Sequence, residues 1–70
     1  MREVVINSEP VELYKILKFE GAVESGGQAK MVIDQGLVLV NGEVETRKRR
    51  KIRAGDIIKF AGDELKMRLA

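Results

Sequence analysis

The pair Asn41-Gly42 constrains the fold of this 70-residue chain more than any other feature of its sequence. The apolar run 37–40 (LVLV) precedes the pair, and 43–45 (EVE) follows it. Asn-Gly accepts the two positive φ angles of a type I′ turn at little cost, so the stretch predicts a tight β-hairpin. We expect Leu37 and Leu39 to face away from its inner side. The residues expected on that inner side are Val38, Val40 and Val44.

A first amphipathic helix is predicted before the hairpin. Asn7-Ser8-Glu9-Pro10 is typical of a helix start, because a capping side chain is followed by proline in the first turn. Leu13, Ile16 and Leu17 then recur at helical spacing. These signals predict a helix from about Pro10 to Phe19.

A second helix is predicted from Ser25, which is followed three residues later by Gln28. This spacing is a capping box, in which the serine oxygen accepts from the backbone N–H of Gln28 and the glutamine side chain reaches back. Ala29, Val32 and Ile33 form its apolar face, and Gly36 supplies a left-handed stop.

The run Ser25-Gly26-Gly27-Gln28 also admits two catalytic or nucleotide-binding interpretations. A Gly-Gly-Gln tip is found in peptide-releasing factors, but a releasing glutamine needs a mobile, extended loop rather than a helical turn. A phosphate cradle of the GxxxxGK[ST] kind is absent from the chain. The start of a helix is the preferred interpretation.

Further short strands are predicted around the two helices. Arg2–Ile6 is rich in valine and isoleucine, and Glu64–Leu69 alternates like a last strand. Ile52, then the turn Ala54-Gly55-Asp56, then Ile57–Phe60 suggest a strand entered through a turn. The length of the chain leaves room for one domain, residues 1–70.

The composition argues against an enzyme. Histidine and cysteine are both absent, which removes the commonest general base, the thiolate nucleophile and most zinc sites. We therefore expect no catalytic residue, no metal and no cofactor. No stretch approaches a membrane span or a signal-peptide core, so a cytoplasmic protein without a membrane partner is expected.

The run Arg47-Lys48-Arg49-Arg50-Lys51 is the most unusual part of the sequence. Residues 1–45 hold four bases against eight acids, whereas residues 46–70 hold nine bases against three acids. Five consecutive cations favour an exposed loop between strands, and such a cluster pairs well with phosphates. A merely solvated loop, an acidic protein surface and anionic lipid are the alternatives.

Aromatic residues for stacking on unpaired bases are scarce. Tyr14, Phe19 and Phe60 each lie in an apolar pattern that predicts a place in the core. Recognition of backbone shape is therefore expected, which favours folded RNA over a single strand.

The order of these elements, with S-x-x-Q-A-K, G-x-V-x-V-N-G and G-D-x-I, resembles a known family. This family is the RNA-binding domain named after the fourth protein of the small ribosomal subunit, also called the αL motif. The residues that carry the resemblance are Ser25, Gln28, Ala29, Lys30, Gly36, Val38, Val40, Asn41, Gly42, Gly55, Asp56 and Ile58.

The resemblance implies an α+β fold in which two packed helices lie against a small, mostly antiparallel curved sheet, with a motif core of about residues 10–60. It also implies a free-standing bacterial type that binds RNA without catalysis and is associated with the ribosome or its assembly. The expected partners are structured RNA, ribosomal RNA above all, and ribosomal particles, bound by a monomer. A protein-interaction adaptor anchored on Met31, Leu37 or Leu39 and a duplex-DNA binder are the alternatives.

The chain departs from the family at one position, because Gly26 and Gly27 follow Ser25 where members usually place an RNA-facing arginine. The binding contacts are then expected to lie more on the basic run, and the two glycines would let backbone N–H groups approach a phosphate. The predicted RNA-binding residues are Lys15, Lys18, Ser25, Gly26, Gly27, Gln28, Lys30, Arg47, Lys48, Arg49, Arg50 and Lys51.

Overall fold

The computed structural model describes all 70 residues and contains seven strands and two helices. In chain order these are β1 (Arg2–Ile6), β2 (Val11–Glu12), α1 (Leu13–Phe19), α2 (Gly26–Asp34), β3 (Leu39–Val40), β4 (Glu43–Val44), β5 (Lys51–Ile52), β6 (Ile57–Phe60) and β7 (Asp63–Leu69).

Five strands form one sheet in the order β1-β7-β6-β3-β4, and β2 pairs with β5 in a separate two-stranded ribbon. Only β1 and β7 run parallel, while the other pairs are antiparallel. The two helices contact each other and cover one face of the sheet with a shared apolar core. The predicted α+β class is confirmed. Neither helix is long and apolar enough to cross a bilayer.

The second helix follows its sequence signals closely. The backbone N–H of Gln28 donates to Ser25 Oγ at 3.1 Å, as the capping box predicts. The side chain of Gln28 reaches back one residue further than expected, because its Oε1 accepts from the N–H of Glu24 at 2.7 Å. Ala29, Val32 and Ile33 are buried, and Gly36 has a φ of +76°.

The predicted start of the first helix is wrong. Pro10 precedes a strand, and α1 begins only at Leu13, with no side-chain cap from Glu12. Val11 and Glu12 instead pair antiparallel with Ile52 and Lys51 of β5. The backbone between Pro10 and Leu13 finds its partners about forty residues away along the chain, which no local helix signal reveals.

Two predicted core positions lie at the surface. Val44 is 59% exposed because the two-residue turn pairs it with Leu39, so it shares the outer face of that leucine rather than the face of Val40. Phe19 is 70% exposed at the end of α1. Tyr14 and Phe60 are half-buried and pack against the core, as expected.

The Asn-Gly turn is tied to the turn before β6 through one side chain. Asn41 has a φ of +52° and Gly42 of +84°, as a type I′ turn requires. Asn41 Nδ2 donates to Asp56 Oδ1 at 3.0 Å, and Asn41 Oδ1 accepts from the N–H of Ile57 at 2.9 Å. Asp56 Oδ2 in turn accepts from the N–H of Arg53 at 2.8 Å. The distant motifs N-G and G-D-x-I thus form one hydrogen-bonded unit.

Replacing Asn41 by alanine should lower the free energy of unfolding by about 1–2 kcal/mol, since the variant lacks two hydrogen bonds and tolerates the left-handed conformation less well. Urea titration measures the change. Asn7→Ala is the matched control, because Asn7 is exposed and makes no side-chain hydrogen bond. Equal stability of the Asn41→Ala variant and the parent chain would contradict the role assigned to this unit.

Candidate nucleic-acid interface

The basic loop, residues 47–51, connects β4 to β5 as predicted, except that its last residue, Lys51, is already part of β5. The backbone N–H of Arg50 donates to the carbonyl of Arg47 at 3.2 Å, which closes a turn. Two further carbonyls of the loop face the start of α1. Leu13 N–H donates to Arg50 O at 2.9 Å, and Tyr14 N–H donates to Lys48 O at 3.1 Å. The loop therefore satisfies donors that the first helical turn leaves unpaired.

A buried carboxylate lies beneath the basic loop. Glu45 is the single buried charged residue of the chain. Its Oε2 accepts from Arg47 Nε at 2.9 Å and from the Arg47 backbone N–H at 3.2 Å. Its Oε1 accepts from Arg47 Nη2 at 3.0 Å and from Arg50 Nη1 at 2.6 Å. Both oxygens are thus fully used in holding the loop.

These contacts set the protonation of Glu45. The hydrogen bond from the Arg47 side chain is the largest influence and lowers the pKa of Glu45 from 4.5 to about 2, while burial opposes the change and Arg50 adds to it. The same pair raises the pKa of Arg47. The carboxylate therefore remains charged over the whole neutral range.

Glu45 separates the cations of the basic loop into two groups. Arg47 and Arg50 pair with Glu45, whereas the other three do not: Lys48 and Lys51 are exposed and make no ion pair, and Arg49 pairs with Glu12 instead. Reasoning from the sequence treats all five as equivalent and misses Glu45. The only indication of its role in the sequence is that Glu45 stands just before five bases. The same position also fits an ordinary residue of the hairpin strand.

A second assembly joins α1, α2 and the basic loop around one aromatic ring. Lys30 Nζ lies 4.8 Å from the centre of the Tyr14 ring, while Lys15 Nζ and Arg49 Cζ each lie 5.9 Å from it. Glu12 pairs with Lys15 at 3.3 Å and with Arg49 at 3.7 Å. The ring and the carboxylate reduce the repulsion among three cations from separate elements.

The remaining predicted residues lie around the start of α2. Lys18 of α1 lies beside it, since a Cβ added to Gly26 would be 3.9 Å from Lys18 Cδ. Neither Gly26 nor Gly27 has a positive φ, and an added Cβ would meet only ordinary contacts. No requirement of the backbone or of packing therefore demands glycine at either position.

The hydrogen bonds of the helix cap also limit which polar atoms of Ser25 and Gln28 are free to bind a ligand. Ser25 Oγ and Gln28 Oε1 both accept from backbone N–H groups within the cap. The Nε2 group of Gln28 makes no hydrogen bond within the chain and remains available as a donor.

Sequence and structure place this chain in a known class of RNA-binding module. The S4 domain family matches residues 4–68, so the chain belongs to the S4 domain family. Among its relatives is YbcJ of Escherichia coli K12, whose name proposes RNA binding. It is 54% identical over 57 residues, which cover 81% of each chain.

Two further comparisons agree with this assignment. RlbA of Bacillus subtilis 168, whose name proposes a role in ribosome maturation, is 36% identical over 59 residues, covering 84% of this chain and 83% of the relative. The solution structure of E. coli YbcJ, described as revealing an αL motif involved in RNA-binding, superposes with a TM-score of 0.72. It is 48% identical and covers 97% of this chain and 86% of that one. The resemblance to the free-standing type that includes YbcJ is confirmed.

The charge on Glu45 should make the stability of the chain depend on pH in acid. Because its pKa is about 2 when folded and 4.5 otherwise, its stabilisation is complete above about pH 5 and is lost as the pH falls toward 2. At about 1.4 kcal/mol for each pH unit between the two values, the loss amounts to about 3 kcal/mol. Urea unfolding at about pH 7 and about pH 3 should show about 2 kcal/mol of this loss, because about 1.5 of the pH units between the two pKa values lie above pH 3.

Glu45→Gln provides the comparison for this titration. The variant should be less stable by about 3 kcal/mol near pH 7, because two guanidinium groups lose their partner, and most of the acid-dependent loss should disappear. If the variant retains the full pH dependence of the parent chain, another carboxylate is responsible and the assignment to Glu45 is wrong.

Proposed function

We propose that this chain is a non-catalytic RNA-binding domain, comprising residues 1–70 with a core of about 10–60, that binds structured RNA in the cytoplasm. Ribosomal RNA or a ribosomal particle is the proposed setting, with a role in ribosome assembly. The observation that carries the proposal is the convergence of cations from α1, α2 and the basic loop around Tyr14. The names of the relatives YbcJ and RlbA, which refer to RNA binding and ribosome maturation, support it.

In this proposal the cations have two different tasks. Arg47 and Arg50 hold the basic loop in shape through Glu45, although the side chain of Arg47 is still 71% exposed and faces incoming phosphates. The direct phosphate contacts come from cations that have no buried partner. These are Lys15, Lys18, Lys30, Lys48, Arg49 and Lys51.

The start of α2 supplies the other part of the proposed interface. Ser25 fixes the first turn, and Gly26 and Gly27 leave its backbone N–H groups open to a phosphate. Gln28 offers its Nε2 group to a ribose or a base edge.

The scarcity of exposed aromatic rings on the cationic face favours structured RNA over single strands. Tyr14 is half-buried beneath three cations, and the exposed Phe19 lines a separate groove with β1 residues such as Val5. Single-strand binders rely on stacked bases, whereas a helix or a folded RNA is recognised through its backbone and 2′-hydroxyl groups.

Neutralising unpaired cations of the basic loop should weaken RNA binding without harming the fold. The double variant Lys48→Gln/Lys51→Gln should bind an RNA hairpin less tightly whatever its sequence. The slope of log K against log salt should fall by about 1 for each phosphate that the variant no longer neutralises. Fluorescence anisotropy at several salt concentrations measures both quantities.

The double variant Lys59→Gln/Lys66→Gln is the control, because it removes the same net charge from exposed positions on β6 and β7. An equal drop in RNA affinity for the two double variants would mean that affinity depends only on net charge. It would contradict a localised interface. Arg50→Ala should behave differently from both, since it deprives Glu45 of a partner and lowers the stability as well.

The variant Gly26→Ala distinguishes a structural role of Gly26 at the helix start from a role in phosphate binding. Alanine should raise the free energy of unfolding by up to about 1 kcal/mol, because it is the better helix former and has room. RNA affinity should fall at the same time if a phosphate approaches the backbone there. A more stable variant with unchanged affinity would remove Gly26 from the interface.

Protein docking is a second candidate function, favoured by one observation. Met31 and Leu37 are each at least half exposed, as a hydrophobic anchor requires. Binding of a protein partner that resists salt, together with no response to RNA, would favour this candidate.

A further inference from the structure

The basic loop borders a shallow concavity, open to solvent, whose lining residues are all cationic. Its volume is about 410 Å³, and its four lining residues are Arg47, Arg49, Arg50 and Lys51. Two carboxylates pair with three of the four: Glu45 with Arg47 and Arg50, and Glu12, which Lys15 shares, with Arg49. Four cations less these two negative charges leave two positive charges at one small space.

The concavity is already organised in the free chain. Arg50 is held by Glu45 at 2.6 Å, and the loop is closed by the Arg50 N–H to Arg47 carbonyl bond and tied to Leu13 of α1. A ligand therefore meets a closed loop in which Glu45 already holds the guanidinium groups of Arg47 and Arg50, which lowers the entropy cost of binding.

We propose that this concavity binds an oligophosphate, that is, two or three phosphate groups joined or held side by side. Three guanidinium groups and one ammonium group carry more N–H donors than the oxygens of a single phosphate group can accept, even after those bound to Glu45 are set aside. Guanidinium forks from several directions suit the many equatorial oxygens of linked phosphates. A straight nucleic-acid strand spreads its phosphates along the axis, whereas linked phosphates place their charge in one compact volume.

Three sources share this chemistry: the 5′-triphosphate end of an RNA, a free nucleoside triphosphate, and a sharply bent RNA backbone. The inference rests on the proposed function only for the first and the third source, because the site itself is defined in the free chain.

The first test uses no RNA. Sodium tripolyphosphate is titrated into the isotope-labelled chain in magnesium-free buffer, with sulfate at equal ionic strength as the reference anion. We expect saturable amide shifts confined to residues 45–52 and binding that the double variant Arg49→Gln/Lys51→Gln weakens about tenfold or more, since charge-assisted hydrogen bonds are removed. The double variant Lys59→Gln/Lys66→Gln should retain the parent affinity.

Non-saturating shifts spread over all the lysines and arginines, or equal affinity of the two double variants, would overturn the site. We expect Arg49→Gln/Lys51→Gln to remain folded, because neither residue contacts Glu45. Retained amide dispersion of this variant would show that its weaker binding does not come from unfolding.

The second test identifies the source. An RNA hairpin with a 5′-triphosphate, the same hairpin with a 5′-hydroxyl, and a nucleoside triphosphate each compete with tripolyphosphate. Preference for the triphosphate hairpin assigns the RNA end, and equal competition by the two hairpins assigns the backbone. Competition by the nucleotide alone assigns a free nucleotide, and it would also contradict the proposed RNA function while leaving the oligophosphate site intact. Failure of all three competitors to displace tripolyphosphate would overturn the proposal for natural ligands.

Discussion

The pairing of Glu45 with Arg47 and Arg50 is the interaction on which the rest of the proposed interface depends. Five consecutive cations repel one another, and a loop made only of them has no fixed shape. A buried carboxylate that accepts four hydrogen bonds turns the backbone of the loop and fixes two of its guanidinium groups. The cations at the other positions are then directed outward. The buried negative charge of Glu45 therefore holds in place the loop that carries the positive surface.

The same loop connects the interface to the core. Its carbonyls accept the first two N–H groups of α1, and its last residue pairs with β2, so the basic loop and the first helix form one unit. Tyr14 and Glu12 then bring Lys15, Lys30 and Arg49 to the same face. Fold stability and the proposed RNA binding therefore share residues, and we expect a change of Glu45 or Glu12 to affect both.

Much of the fold follows from local sequence signals. The turn at Asn41-Gly42, the cap at Ser25 and the stop at Gly36 each need only neighbouring residues, and all three are confirmed. The errors arise where distant pairing decides. Val11 leaves the helix because β5 offers it a partner, and Val44 faces outward because of the register of its hairpin. The burial of Glu45 could not be predicted from the sequence for the same reason, since it depends on how the sheet, the loop and α1 meet.

The most direct test of the account is a titration of the isotope-labelled chain with a structured RNA hairpin, followed through backbone amide shifts at two salt concentrations beside a DNA duplex of matched length. The account predicts RNA-selective, salt-sensitive shifts that cluster at residues 12–18, at 25–30 and in the basic loop. Shifts of equal size with DNA, or no shifts in a chain that remains folded, would contradict the claim that these elements form an interface for structured RNA.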